Sequence, residues 1–363
     1  MSHSLFEAIS ISSGKISESV PRFSGKMERK GLPLNGDSEL LRVMDNRMMF
    51  MGHIALLQVM QPHTGAGVEQ HSDVYDNTFS RLIGSIQMIT ASAFDAENGE
   101  KIAQFITAQH KSVNGVDHTG KRYSALNPES WSETFDTFFE AARQIFLRYD
   151  MRASDPVRRK EILEQMYLEY ITWYQRFGIT DKYIAPDYDS FCEKWQNMVE
   201  NRLVMTEAAR WGFGLLRENK FPFPTVVPEL ARRAMNIPLI PSTNLVGKII
   251  MSGIPAEIRS NKKYKDIMPS YTAADAIMVR GFEESVKHIW PLLPPSVRYP
   301  AGDLESLQKL GKYNDILGKT AVVAWKTTKT MVETQSSTAR SIRSTIDTVL
   351  RLPKTATQSL LQN

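Results

Sequence analysis

Cysteine is almost absent: Cys192 stands alone among 363 residues. An intramolecular disulfide and any zinc site built on paired cysteines are thereby excluded. Such usage fits a reducing compartment. The single thiol reads as a small buried apolar side chain, since a nucleophile would need a histidine partner. Phosphate-cradling loops are missing too, with no GxGxxG after a strand and no GxxxxGK[ST]. HExxH is absent, as are the paired Glu-x-x-His motifs of di-iron bundles and the GxSxG elbow of hydrolases. No apolar run approaches the ~20 residues of a spanning helix. The longest, Met48 to Met60, is interrupted by Gly52, His53 and Gln58. The N-terminus lacks a basic region followed by an apolar core, so it does not read as a secretory signal. The expectation is a cytoplasmic protein with no transmembrane segment. Neither sign of charge dominates: 44 basic residues face 40 acidic ones, a net +4. Bulk charge therefore gives no reason to expect a nucleic-acid partner.

What is present is a chain long enough for a large core, with ordinary hydrophobic content and helical periodicity nearly throughout. Residues 1–37 read as an arm rich in small and polar residues, 38–318 as the helical body, and 319–363 as a basic Thr/Ser-rich tail. That tail holds seven basic residues against two acidic ones, more than the net charge of the whole chain. It could touch an anionic membrane surface weakly, or be a solvated helix. Helices are expected over Asp37–Met60, Asn77–Phe94, Asn98–Asn114, Trp131–Tyr149, Asp155–Gly178, and one or two within Tyr188–Lys220. Pro62 and Gly65-Ala66-Gly67 are expected to break the chain, and Gly115 to end the third helix. A proline-rich connection (221–255) is expected to carry a short helix near Glu229–Met235 and another capped at Ser242. Ala273–Trp290 follows as a helix. No set of strands is expected.

Four of the seven histidines fall between Gly52 and Gly115: His53, His63, His71 and His110. Buried histidine and arginine need partners, so this stretch is where a ligand or cofactor is sought. His63 and His71 would share a face only if their helix were continuous. His110 lies near the end of an apolar helix. It fits either a core histidine or an axial ligand to haem iron. Arg81, near a helix start, opposes the helix dipole. It needs a carboxylate or an anionic ligand such as a haem propionate, and Ser85 shares its face. The aromatic helices (Trp131, Phe135, Phe138, Phe139; Tyr167, Tyr170, Trp173, Tyr174) read as core or as walls of an apolar pocket.

Leu56-Leu57-Gln58, Pro62, Val68, His71-Ser72, Arg81-Leu82, His110, Val113, Gly115, Gly120, Tyr123 and Ala125 occur in an order and spacing that resemble the mpaB/rubber-oxygenase (latex-clearing-protein-like) catalytic domain. The resemblance covers roughly residues 50–300 and is specific over about 52–125. It implies an all-α fold, a single large helical domain with globin-like packing around a haem pocket. It implies haem b (iron) and O2 as reactants with an apolar small-molecule substrate. On it, His110 becomes the proximal iron ligand and Arg81 a distal or propionate partner. Ser85 takes the place of a distal threonine, and His71 supports the cofactor site. The chain departs from the pattern at Gly84, where the rubber-cleaving branch carries lysine. It departs again at Ser132 and Glu133, near which many bacterial members have a histidine, and it lacks the fungal branch's membrane anchor. The expected function is a haem-b-dependent oxygenase, an oxidoreductase acting with O2 on an isoprenoid or lipid-like substrate. The alternative is a non-catalytic binder or carrier of an apolar ligand on the same scaffold.

Overall fold

The structure is a computed structural model that describes residues 21–222 and 229–313. It is all-α apart from one two-stranded hairpin among these residues. Asp37–Met60 is not one helix. It divides into α1 (Glu39–Val43), a 3-10 turn (Asn46–Met51) and α2 (Gly52–Val59). The side chain of Asp45 accepts from the backbone N–H of Arg47, which starts the 3-10 turn and ends the first helix.

Pro62 does not stop the chain; it opens α3 (Pro62–His71) at the position where a missing N–H costs nothing. Gly65 and Gly67 do not break this helix either. A Cβ at Gly65 would sit 2.6 Å from Thr206 Cγ2, so glycine is there to let α3 approach Thr206 closely. Then come α4 (Val74–Phe94), α5 (Gly99–Gln109), strands β1 (Asn114–Val116) and β2 (Arg122–Ser124), α6 (Pro128–Tyr149) and α7 (Pro156–Gln175). α5 ends with His110 as its C-cap, and Gly115 lies in β1 opposite Tyr123, not at a helix end. The hairpin was absent from the periodicity because three-residue strands carry no readable alternation.

α6 and α7 start in the same way. Asn127 and Asp155 accept backbone N–H groups of the first turn, and Pro128 and Pro156 occupy N1. Their aromatic faces meet at the centre. Phe135 lies 4.8–5.5 Å from the rings of Tyr170, Trp173, Tyr174 and Phe177. Phe139, Tyr167, Tyr170, Trp173 and Tyr174 are fully buried. These aromatics close-pack as core and do not wall a pocket. Helices α8 (Tyr188–Asn201), α9 (Glu207–Arg217), α10 (Glu229–Asn236), α11 (Ile240–Gly253), α12 (Ala256–Arg259), α13 (Ala273–Ile289), α14 (Pro295–Arg298) and α15 (Ala301–Lys309) complete the described body. Ser242 lies inside α11, donating to the Leu239 carbonyl, and is not its cap. A reciprocal capping box of Thr272 and Asp275 starts α13.

Residues 21–37 run extended along the body. Gln104 accepts from the Phe23 N–H at 2.6 Å, and Asp181 accepts from the N–H groups of Glu28 and Arg29. The basic tail lies outside the described residues. Among those described, no helix is long and apolar enough to cross a membrane.

Candidate functional site

α4 and α5 form a helical hairpin whose turn is tied by Asp95, which accepts from the N–H groups of Glu97 and Asn98. About Glu97, His110 lies 13 residues on and Gly84 13 residues back. With equal rise per residue, folding back brings His110 level with the Arg81–Ser85 turn. α5 is fixed in place by Thr107, which donates to the carbonyls of Ala103 and Phe177, and by Gln104, which donates to Arg176.

The His110 ring nitrogen Nδ1 is 2.8 Å from the Ile106 carbonyl. A carbonyl only accepts, so Nδ1 carries the proton and Nε2 keeps its lone pair. Burial holds the imidazole below the ordinary histidine pKa; the Ile106 bond opposes this, and the charge of nearby Arg81 adds to it. The ring is therefore a neutral base, the form that ligates metal. Trp131 stands edge-on to it, with ring centroids 5.4 Å apart. The indole Nε1 of Trp131 is buried without a hydrogen-bond partner.

Arg81 donates through Nη1 to Ser85 Oγ at 3.1 Å. It is exposed, and no ion pair among the described residues includes it. The carboxylate that would explain an arginine near a helix start is thus not in place. Around it α4 is apolar in sequence yet poorly covered. Leu82 is 40% exposed, and Gly84, Ile86, Met88 and Ile89 are only half-buried. Full burial begins at Thr90. A Cβ built on Gly84 meets nothing within 4 Å. Leu82, Ile86 and Ile89, at helical spacing, leave a partly open apolar stripe on α4.

His71 is exposed at the end of α3, its Nε2 3.0 Å from the Asn114 carbonyl. Beside it Gln70 donates to the Val116 carbonyl and accepts from the Tyr123 hydroxyl. A Cβ at Gly115 would overlap Gln70 Oε1 and lie 3.0 Å from the Tyr123 hydroxyl, so only glycine lets the strand pass. Gly120, with φ +82°, makes the hairpin turn. Val113 donates to the His110 carbonyl, and Ala125 to that of Val113. His71, Val113, Gly115, Gly120, Tyr123 and Ala125 therefore form one joint that locks α3 to the backbone just after His110.

Residues 41–283 match the family described as ER-bound oxygenase mpaB/B'/Rubber oxygenase, catalytic domain. The chain belongs to that family. No curated protein and no solved structure matches it.

In this mpaB/rubber-oxygenase member His63 and His53 have surroundings different from those of His110. His63 is half-buried near the Ser130 backbone, Nε2 unpartnered, its pKa pushed down to about 4 by burial and then by Arg202. His53 is fully buried in α2, both ring nitrogens without a partner. A histidine inside the apolar run Ile54–Met60 was the available signal for it, but run composition could not say whether it had partners. Ser132, Glu133 and Asp136 are buried and pair outward with half-buried Lys194 and exposed Arg202. That cluster encloses a cavity with about 100 Å³ of space for water-sized groups. A second cavity lies between α2, α6 and α13. Neither reaches His110, Arg81 or Ser85. Among the described residues no group of three or more His, Cys, Asp or Glu side chains converges as a metal-ligand set.

Proposed function

We propose that this member of the oxygenase family binds haem b through His110 and acts with O2 on an apolar substrate of isoprenoid or lipid-like character. The observation that carries the reading is the state of His110: Nδ1–H held by Ile106, Nε2 free, the ring kept neutral and level with Arg81 and Ser85. One neutral imidazole, with no converging set of three or more His, Cys, Asp or Glu side chains among the described residues, would suit an iron whose remaining donors come from its own cofactor. The exposed guanidinium of Arg81 would suit a propionate, and the partly open stripe of Leu82, Ile86 and Ile89 would suit an apolar surface. Haem, when bound, supplies the iron that activates O2. The chain's own residues do the rest. His110 offers its Nε2 lone pair, and the Ile106 carbonyl fixes the orientation of the ring. Arg81 and Ser85 present N–H and O–H donors, and Leu82, Ile86, Met88 and Ile89 line the apolar side and exclude water. His71 acts at a distance, through the joint that sets the backbone after His110.

The test is a haem titration of the purified protein, with a pyridine haemochrome assay and absorption spectra of the wild type and His110→Ala. A Soret band that is lost or shifted in His110→Ala is expected; no band, or an identical one in the variant, overturns the assignment. Bound lipid with haem but no O2 uptake on prenyl substrates would favour the carrier alternative.

A further inference from the structure

The cavity between α2, α6 and α13 is the larger of the two, with about 450 Å³ of space for water-sized groups. It lies far from His110. Trp131, the α6 residue that touches His110, and Gln144, which lines the cavity, are 13 residues apart on one helix. That is about 20 Å of helix.

Its lining is rich in cations. Arg143 is held by Glu140 through two hydrogen bonds of 2.6 and 2.9 Å. Arg148 is paired with Glu283 and also donates to the Ser252 hydroxyl. These two ion pairs use both lining carboxylates. Arg259 and Arg280 line the same space, and no ion pair among the described residues includes either of them. Arg259 lies over the Tyr271 ring at 4.7 Å, which aligns its guanidinium plane but does not neutralise it.

Several polar atoms here are buried without partners: Nη1 of Arg148, Nε of Arg259 and both ring nitrogens of His53. His53 is 1% exposed and forms part of the floor. It is fixed there by Gly253, where any Cβ would overlap the ring. Unpartnered buried polar groups cost about 1–3 kcal/mol each. These atoms are covered by protein, so the part of the lining open to a ligand is the exposed Arg280 and the half-buried Arg259.

We infer that this cavity is a second binding site, for a phosphorylated small molecule or headgroup whose phosphate is held by Arg259 and Arg280. A phosphate monoester carries about −1.5 to −2 charges at neutral pH and three acceptor oxygens. It matches two surplus guanidinium groups better than a single carboxylate does, and guanidinium forks bind phosphate in pairs. The volume exceeds that of a bare phosphate, leaving room for the group it esterifies.

The experiment is calorimetry and thermal shift of the full chain with inorganic pyrophosphate, against sodium chloride at matched ionic strength. A parallel arm sediments the protein with phosphatidylcholine vesicles, with and without phosphatidic acid. Stoichiometric pyrophosphate binding assigns a soluble ligand. Binding confined to phosphatidic acid vesicles assigns a lipid headgroup. In either case Arg280→Gln should weaken binding about tenfold, and Arg259→Gln with Arg280→Gln about a hundredfold. Arg280 is exposed and unpaired, so Arg280→Gln keeps the fold; helix content by circular dichroism checks this. His110→Ala should bind as the wild type does, which separates this site from the haem assignment. No response beyond the salt control in both arms, or undiminished binding in the double variant, overturns the inference.

Discussion

Asp303 offers a quantitative test of how α15 is held on the body. It lies in the first turn of α15, 5% exposed, against Thr90 of α4, with Oδ2 lacking any partner. Burial pushes its pKa from 3.8 up to about 7, opposed only by the Thr90 hydrogen bond. The folded state therefore keeps a proton that the unfolded state has already lost. Stability should fall as pH rises from about 4 to about 7 and stay level above, by ~4 kcal/mol for a shift of about three units. The helix N-terminus favours the charged form by up to ~2 kcal/mol, which leaves ~2–4 kcal/mol. Asp303→Asn keeps the shape without the charge. Urea denaturation of both proteins at about pH 3.5 and about pH 8 should give similar stabilities at the lower pH, with the variant ~2–4 kcal/mol more stable at the higher. A stability difference that does not change with pH would refute the reasoning.

Other substitutions test the same physical readings. Lys194→Met removes the 2.6 Å ion-pair partner of Asp136, a carboxylate whose pKa burial already raises. An uncompensated buried charge should cost about 3–5 kcal/mol in chemical denaturation. Gly84→Ala should add about 0.5–1 kcal/mol of helix stability, since its Cβ meets nothing, as thermal unfolding of the apoprotein would show. Gly65→Ala should destabilise by about 1–3 kcal/mol because its Cβ has no room against Thr206. His110→Ala should abolish or shift the Soret band of the haem-supplemented protein while leaving helix content unchanged.

Much of the candidate site was legible before any coordinates. Arg81 and His110 carry the resemblance and Ser85 stands where it puts a threonine, but that the two helices fold back on each other came only with the structure. Helix identity followed from the 3.6-residue period, but starts were less legible: the helix expected from Trp131 begins at Pro128 behind Asn127, and Ser242 lies inside its helix. Glycine was where local reading failed. Gly65 looked like a break and is a point of close packing; Gly115 looked like a helix end and is where β1 slips past Gln70 and Tyr123. Glycine's backbone freedom is a local property, but the reason for it here is a neighbour far along the chain.

Sequence alone determined what the chain is made of: an all-α body, a resemblance to the family that the match over 41–283 then showed, and histidine, arginine and serine on two consecutive helices. Only the tertiary structure decided which polar groups have partners. His53 and His110 both sit on apolar helices, and no local pattern distinguishes them. One is bonded through Nδ1 to its own helix and kept neutral beside Arg81; the other is sealed beneath Gly253 with neither nitrogen satisfied. Partnership of buried polar groups depends on contacts between residues far apart in the chain, 245 positions for Asp45 and Trp290. It is written in the packing, where desolvation and charge are settled together.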